Sequence, residues 1–116
     1  MNAEGLRELV RASLEEIKAR DIAVLDVREM TTITDYMVVC SGTSDRHVKA
    51  IADNLLEDAR EQGIRPGGME GEDDGEWVLV DLGDLIVHIM LPRIRDFYNL
   101  ERLWDVARPQ ADAASE

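Results

Sequence analysis

The run Glu76-Trp77-Val78-Leu79-Val80-Asp81-Leu82-Gly83-Asp84-Leu85-Ile86-Val87-His88-Ile89-Met90-Leu91 constrains this chain more than any other stretch. It reads as two strands joined by a tight turn at Gly83-Asp84. A turn one residue earlier would set Asp81 against Asp84, and like charges facing each other across a ladder are unfavourable. Gly83 at the first central position of a type II′ turn avoids this, pairing Leu82 with Leu85 and Val80 with Val87. One face of the hairpin is then wholly apolar: Val78, Val80, Leu82, Leu85, Val87, Ile89 and Leu91, the pattern of strands lying on helices. The other carries Trp77, Leu79, Asp81, Ile86, His88 and Met90. A face exposed only to solvent has no need of tryptophan and methionine. Either further helices cover it or it is a partner-binding surface, since large apolar and aromatic groups beside a few polar ones describe interface centres.

The remaining segments supply what such a hairpin packs on. Leu6, Leu9, Val10, Leu14 and Ile17 recur at helical spacing over 5–19, with Asn2 upstream as a cap. The runs 22–27 and 36–40 are rich in β-branched residues and read as strands, separated by the Thr-rich connection 31–35. From Ser44 the pattern changes to Val48, Ile51, Ala52, Leu55, Leu56 and Ala59, a single stripe of helical period that Gly63 is placed to end. Between residues 66 and 76, Pro66 and Gly67, Gly68, Gly71 and Gly75 stand among five acids, so a short edge strand is the most that segment supports. After Pro92, residues 93–98 form one helical turn, and Asn99 is placed to cap a last helix holding Leu100, Leu103 and Trp104. The order α-β-β-α-(β)-β-β-α predicts an α/β fold: one domain with a mixed sheet, the second helix as its crossover and the first helix beside it. Residues 107–116 read as a disordered tail following a domain of residues 1–106.

At 116 residues, 45% hydrophobic and 33% charged, the chain suits one domain with its own core. Thirteen Lys and Arg against twenty-five Asp and Glu give a formal net charge of −12. A chain this acidic repels a polyanion, so general nucleic-acid binding is not expected and a basic protein partner fits better. Arg93, Arg95 and Arg102 form the one basic concentration, too small for general RNA affinity. The single cysteine, Cys40, lies inside an apolar run and reads as a small buried hydrophobe in a reducing cytosol. No signal or transit pattern opens the chain and no apolar stretch approaches the roughly 20 residues that span a bilayer, so a cytoplasmic protein without membrane contact is expected.

The one enzyme-like signal is Ser41-Gly42-Thr43-Ser44-Asp45, which follows a strand and opens a helix where a phosphate or nucleotide can sit. The plainer account explains the same residues without a ligand: Gly42 turns the chain, Thr43 or Ser44 caps the helix, and Asp45 complements its dipole. Asp81 and Asp84 straddle a turn instead of sitting at i and i+2 on one strand, a poor arrangement for two metals. The acids 70–76 lack the order of a calcium loop and read as a solvated loop that steers a cationic partner. With His47 in the first turn of a helix, His88 mid-strand and Cys40 buried, no set at metal-ligand or triad spacing emerges, and neither cofactor nor metal is expected.

The run Asp35-Tyr36-Met37-Val38-Val39-Cys40-Ser41-Gly42-Thr43-Ser44-Asp45-Arg46-His47-Val48 resembles the ribosomal silencing factor family, also called Iojap-like. Gly68-Met69-Glu70-Gly71, then Trp77 to Met90, then Tyr98-Asn99-Leu100-Glu101-Arg102-Leu103-Trp104, resemble that family's later signature in the right order, so the likeness spans residues 6–104. The resemblance implies a nucleotidyltransferase-like α/β fold without transferase activity. It further implies binding to the large ribosomal subunit through the ribosomal protein L-fourteen, a block on joining of the small subunit, and lowered translation when nutrients are scarce. Organellar relatives assist large-subunit assembly, and family members self-associate, so a homodimer is a further expectation. Set beside the hairpin reading, this points to Trp77, Asp81, His88 and Met90, with Tyr98 nearby, as the partner contact. Trp77 and Met90 would supply buried area, Asp81 would pair with a Lys or Arg, and His88 and Tyr98 would give directional hydrogen bonds.

Overall fold

The structure, a computed structural model, describes residues 2–100. Along that span run α1 (Ala3–Glu16), β1 (Arg20–Asp26), β2 (Tyr36–Ser41), α2 (Asp45–Glu61), β3 (Gly68–Glu70), β4 (Trp77–Asp81), β5 (Leu85–Met90) and α3 (Pro92–Tyr98). The β4–β5 hairpin takes the expected register. Val80 faces Val87, and the Leu82 N–H donates to the Leu85 carbonyl at 2.9 Å. Gly83 adopts a φ of +89°, and Asp84 is not among the residues with positive φ, as a II′ turn requires.

The strands form one mixed sheet in the order β1-β2-β5-β4-β3, in which β2 and β5 run parallel and every other pair is antiparallel. The crossover between the two parallel strands contains α2, and β3 is the expected short edge strand. Leu6, Val10 and Leu14 of α1 and Val48, Ile51, Leu55 and Ala59 of α2 form one buried cluster with Val78, Val80, Leu82, Leu85, Val87 and Ile89 of the hairpin segment. The apolar hairpin face is therefore the core. Cys40 belongs to the same cluster, and burial pushes its thiol up to about 12, so it is a protonated hydrophobe. Among the described residues no helix is long and apolar enough to cross a membrane.

Local chemistry sets the helix ends. The Asn2 side chain accepts from the Gly5 N–H at 2.8 Å and the Ser44 hydroxyl from the His47 N–H at 3.1 Å, each satisfying an amide that its helix leaves unpaired. Gly63, with φ +79°, closes α2 as its N–H donates to the Arg60 carbonyl and that of Ile64 to Ala59. At the end of α1 the same two-bond closure is made by Lys18 and Ala19 on Glu15 and Leu14, with Lys18 itself at φ +62°. The helix thus stops at Glu16, short of the 5–19 stretch suggested by periodicity, because the chain must reverse at once into β1.

Asn99, expected to cap a last helix, also closes α3, at φ 48° and ψ 57°, with its N–H on the Arg95 carbonyl at 2.7 Å; asparagine tolerates this left-handed conformation better than most residues, and Leu100 directly after it is again helical. The last helix expected through Leu103 and Trp104, Arg102, and the tail at 107–116 lie outside the described residues.

Gly42 stands in a tight corner, where β2 passes into α2. A Cβ there would fall 2.7 Å from Val48 Cγ2 and 2.9 Å from the Val48 backbone nitrogen. Gly42→Ala is expected to lower stability by about 1–3 kcal/mol through this overlap. Urea unfolding checks it, and an unchanged midpoint would mean that the corner opens freely.

Candidate partner-binding site

Strand alternation places Trp77, Leu79 and Asp81 of β4 on the sheet face turned away from α1 and α2, beside Ile86, His88 and Met90 of β5. Trp77 stands opposite Met90, Leu79 opposite His88, and Asp81 opposite Ile86. One end of this face is covered. Leu25, Val27, Met37, Val39 and Met90 form a second buried cluster, against which Met30, Trp77, Ile94 and Leu100 pack. Of the two readings left open by the sequence, the covering helix holds at this end of the face. Among the described residues α3 encloses Met90, while Trp77, opposite it, is half-buried.

Arg95 fastens that helix, its Nη1 donating at 3.0 Å to the hydroxyl of Ser41, which is buried at the end of β2. At the helix start Arg93 meets Glu76 at 3.1 Å, an exposed pair of small energetic value. Docked in this way, α3 sets the Tyr98 ring 4.8 Å from that of Trp77, with Phe97 edge-on to Tyr98 at 5.0 Å. Phe97 is 80% exposed and Tyr98 52%. The sequence reasoning passed over Phe97, because a single helical turn offers no periodicity to separate an outward ring from a core one.

Of the five residues expected at the contact, the structure brings Trp77 and Tyr98 together at the surface. Asp81 lies at the far end of β4, about 13 Å away at 3.3 Å per residue. There its Oδ1 accepts from the Gly83 N–H at 2.8 Å, shaping the hairpin turn. Met90 was expected on the surface as an anchor; instead it is fully buried in the second cluster, because α3 folds back over it. His88 was expected to point a hydrogen bond outward. It is 6% exposed, and its Nδ1 accepts from the Trp77 indole N–H at 3.0 Å.

That bond fixes the tautomer, since an accepting Nδ1 puts the proton of the neutral ring on Nε2. Burial lowers the His88 pKa to about 4. The donor facing Nδ1 acts in the same sense, because protonation would place a second hydrogen between the two nitrogens.

The loop at 41–45 is closed on itself. The Gly42 N–H donates to the Met90 carbonyl at 3.1 Å, that of Thr43 to His47 Nδ1 at 2.8 Å, and that of Arg46 to Asp45 Oδ1 at 2.8 Å. The Gly42, Thr43 and Arg46 amides are thus already used within the protein. The cleft beside them is lined by Asp45, Asp74 and Glu76 as well as Arg93, a lining that repels an anion. His47 has a structural task that the sequence did not reveal. While Nδ1 holds the loop, its Nε2 meets the Ile17 carbonyl at 2.7 Å and ties α2 to the end of α1.

A family model described as ribosomal silencing factor during starvation matches residues 1–116. The chain is 42% identical to the ribosomal silencing factor of Chromobacterium violaceum, covering 94% of this chain and 89% of that protein. It is likewise 42% identical to that of Bacillus subtilis, with 97% and 94% covered. A mouse protein named mitochondrial assembly of ribosomal large subunit protein 1 is 37% identical over 84% of this chain and 44% of its own length. The fold matches a crystal structure from Chromobacterium violaceum with a TM-score of 0.89 at 42% identity, over 94% of this chain and 91% of that one.

The His88 environment has a measurable consequence. Between pH 6.5 and about 4 the unfolded chain takes up a proton that the folded chain refuses, so stability falls as pH drops through that window. By pH 4.5 the wild type should lose about 2–3 kcal/mol more, relative to pH 7, than His88→Asn, which offers an acceptor that does not titrate. Equal losses in urea unfolding of the two proteins would contradict this.

Proposed function

The chain belongs to the ribosomal silencing factor family, and from that premise we propose that it docks on the large ribosomal subunit through the ribosomal protein L-fourteen, blocks joining of the small subunit, and so lowers translation when nutrients are scarce. The observation that carries this reading is the pair Trp77 and Tyr98, flanked by Phe97, on the open part of the outer sheet face. Rings held against one another bury a large area at small cost in side-chain entropy, which is why such groups dominate interface centres. A formal net charge of −12 keeps the chain from ribosomal RNA and leaves a basic protein patch as the surface it approaches. Asp81, with its second carboxylate oxygen, pairs there with a Lys or Arg. His88 and Met90 act from beneath the surface.

No catalytic step, cofactor or metal enters this account, and the protein works in the cytoplasm. Large-subunit assembly is the second reading, favoured by the name of the mouse relative and served by the same docking. A second copy of the chain, docked through the same face, would compete with the ribosome.

Trp77→Ala and Tyr98→Ala are each expected to weaken binding to separated large subunits by about 2 kcal/mol or more. Full affinity combined with a lowered melting temperature would instead make these rings structural. A nucleoside triphosphate with magnesium is expected to leave the melting temperature unchanged, whereas a rise would favour a nucleotide-binding enzyme using Ser41–Asp45.

A further inference from the structure

We infer that His88 is a positioning residue for docking: it takes the indole N–H of Trp77 and holds the ring ready for the partner without touching the partner itself. The inference rests on the docking reading above and says how its principal anchor is prepared. His88 sits two residues along β5 from Met90, the cross-strand partner of Trp77, so the two side chains are diagonal neighbours on one face. Their rings lie 5.9 Å apart at 52°, and the Nε1 to Nδ1 distance of 3.0 Å is that of a well-made bond.

Two further contacts show that the indole is held from several sides. Tyr98 packs against it at 4.8 Å, and the ring also rests on the second buried cluster. Rotating the indole out of this setting would leave His88 Nδ1, in a residue only 6% exposed, without its donor. The hydrogen bond therefore selects one indole orientation. A side chain already in its bound rotamer loses less entropy on association. The same bond changes what the partner meets. With its N–H directed inward, Trp77 offers an apolar ring face, so the surface it docks on must be apolar or cationic at that point, with no requirement for an acceptor.

The test compares the full-length protein with His88→Phe, His88→Asn, Trp77→Phe and the double variant His88→Phe/Trp77→Phe, measuring affinity for separated large subunits. Hydrogen exchange of the Trp77 indole N–H is followed by nuclear magnetic resonance in the free proteins. His88→Phe keeps a ring but removes the acceptor, and should weaken binding about fivefold and expose the indole N–H to exchange. His88→Asn should restore most of both. In the Trp77→Phe background, which has no indole N–H, the change at His88 should add nothing.

A fivefold loss that persists in that background would overturn the inference, because His88 would then act on the partner directly. Unchanged affinity in His88→Phe despite faster indole exchange would overturn it too, since orientation would not matter. Should His88→Phe not fold, Trp77→Phe alone carries the test: it removes the same bond, and affinity equal to wild type overturns the inference. If the wild type does not bind large subunits at all, the docking reading fails and this inference falls with it. An indole N–H protected in the wild type would then still distinguish a correct account of the Trp77 setting from a wrong partner.

Discussion

The register of the β4–β5 hairpin is the constraint on which the rest of the molecule depends. Because side chains alternate across a strand, a slip of one residue would turn Asp81 and His88 toward α1 and α2 and send Val78, Val80, Val87 and Ile89 outward. Gly83 prevents the slip by taking a positive φ at the one place the turn needs it, and the Asp81 carboxylate accepts the Gly83 N–H to hold it there. With that register fixed, one face of the sheet is covered by two amphipathic helices. Among the described residues the opposite face receives one short helix, α3, and Leu100.

That short helix defines the site. Pro92 starts α3 and Asn99 stops it, leaving it too brief to be stable alone, so its position derives from contacts with the sheet. Ile94 packs on the second buried cluster and Arg95 reaches the buried hydroxyl of Ser41. As a result Met90 is enclosed, Tyr98 meets Trp77, and Phe97 is left facing solvent. The outer face is thus part core and part open surface. The strongly acidic remainder of the chain restricts what that surface can approach.

Much of this was legible in the sequence because it depends on periodicity and local turn chemistry. The alternation from Val78 to Leu91 gave the hairpin and its core face, the stripe from Val48 to Ala59 gave α2, and Asn2 and Ser44 are caps as their residue types suggest. What escaped depends on contacts between distant segments. Nothing near Met90 signals that Arg95 will bring a helix over it. Nothing near His47 signals that Ile17, thirty residues away, will offer it a carbonyl. For His88, the register already implied proximity to Trp77, but whether its ring nitrogens face a partner or a neighbour is a matter of side-chain orientation that no pattern encodes. The candidate site was accordingly legible as a face and not as a set of contacts. Trp77 and Tyr98 meet at the surface, while Met90 and His88 are buried beneath it.

Joining of ribosomal subunits tests the central claim most directly. The protein is mixed with separated large subunits, small subunits are added afterwards, and the fraction of joined ribosomes is read by sucrose-gradient sedimentation, with Trp77→Ala in parallel. The account predicts that the wild type co-sediments with the large subunit and lowers the joined fraction, and that the variant does neither. Full joining in the presence of bound wild-type protein would contradict silencing by this face, and absence of binding at low and moderate salt would contradict the docking itself.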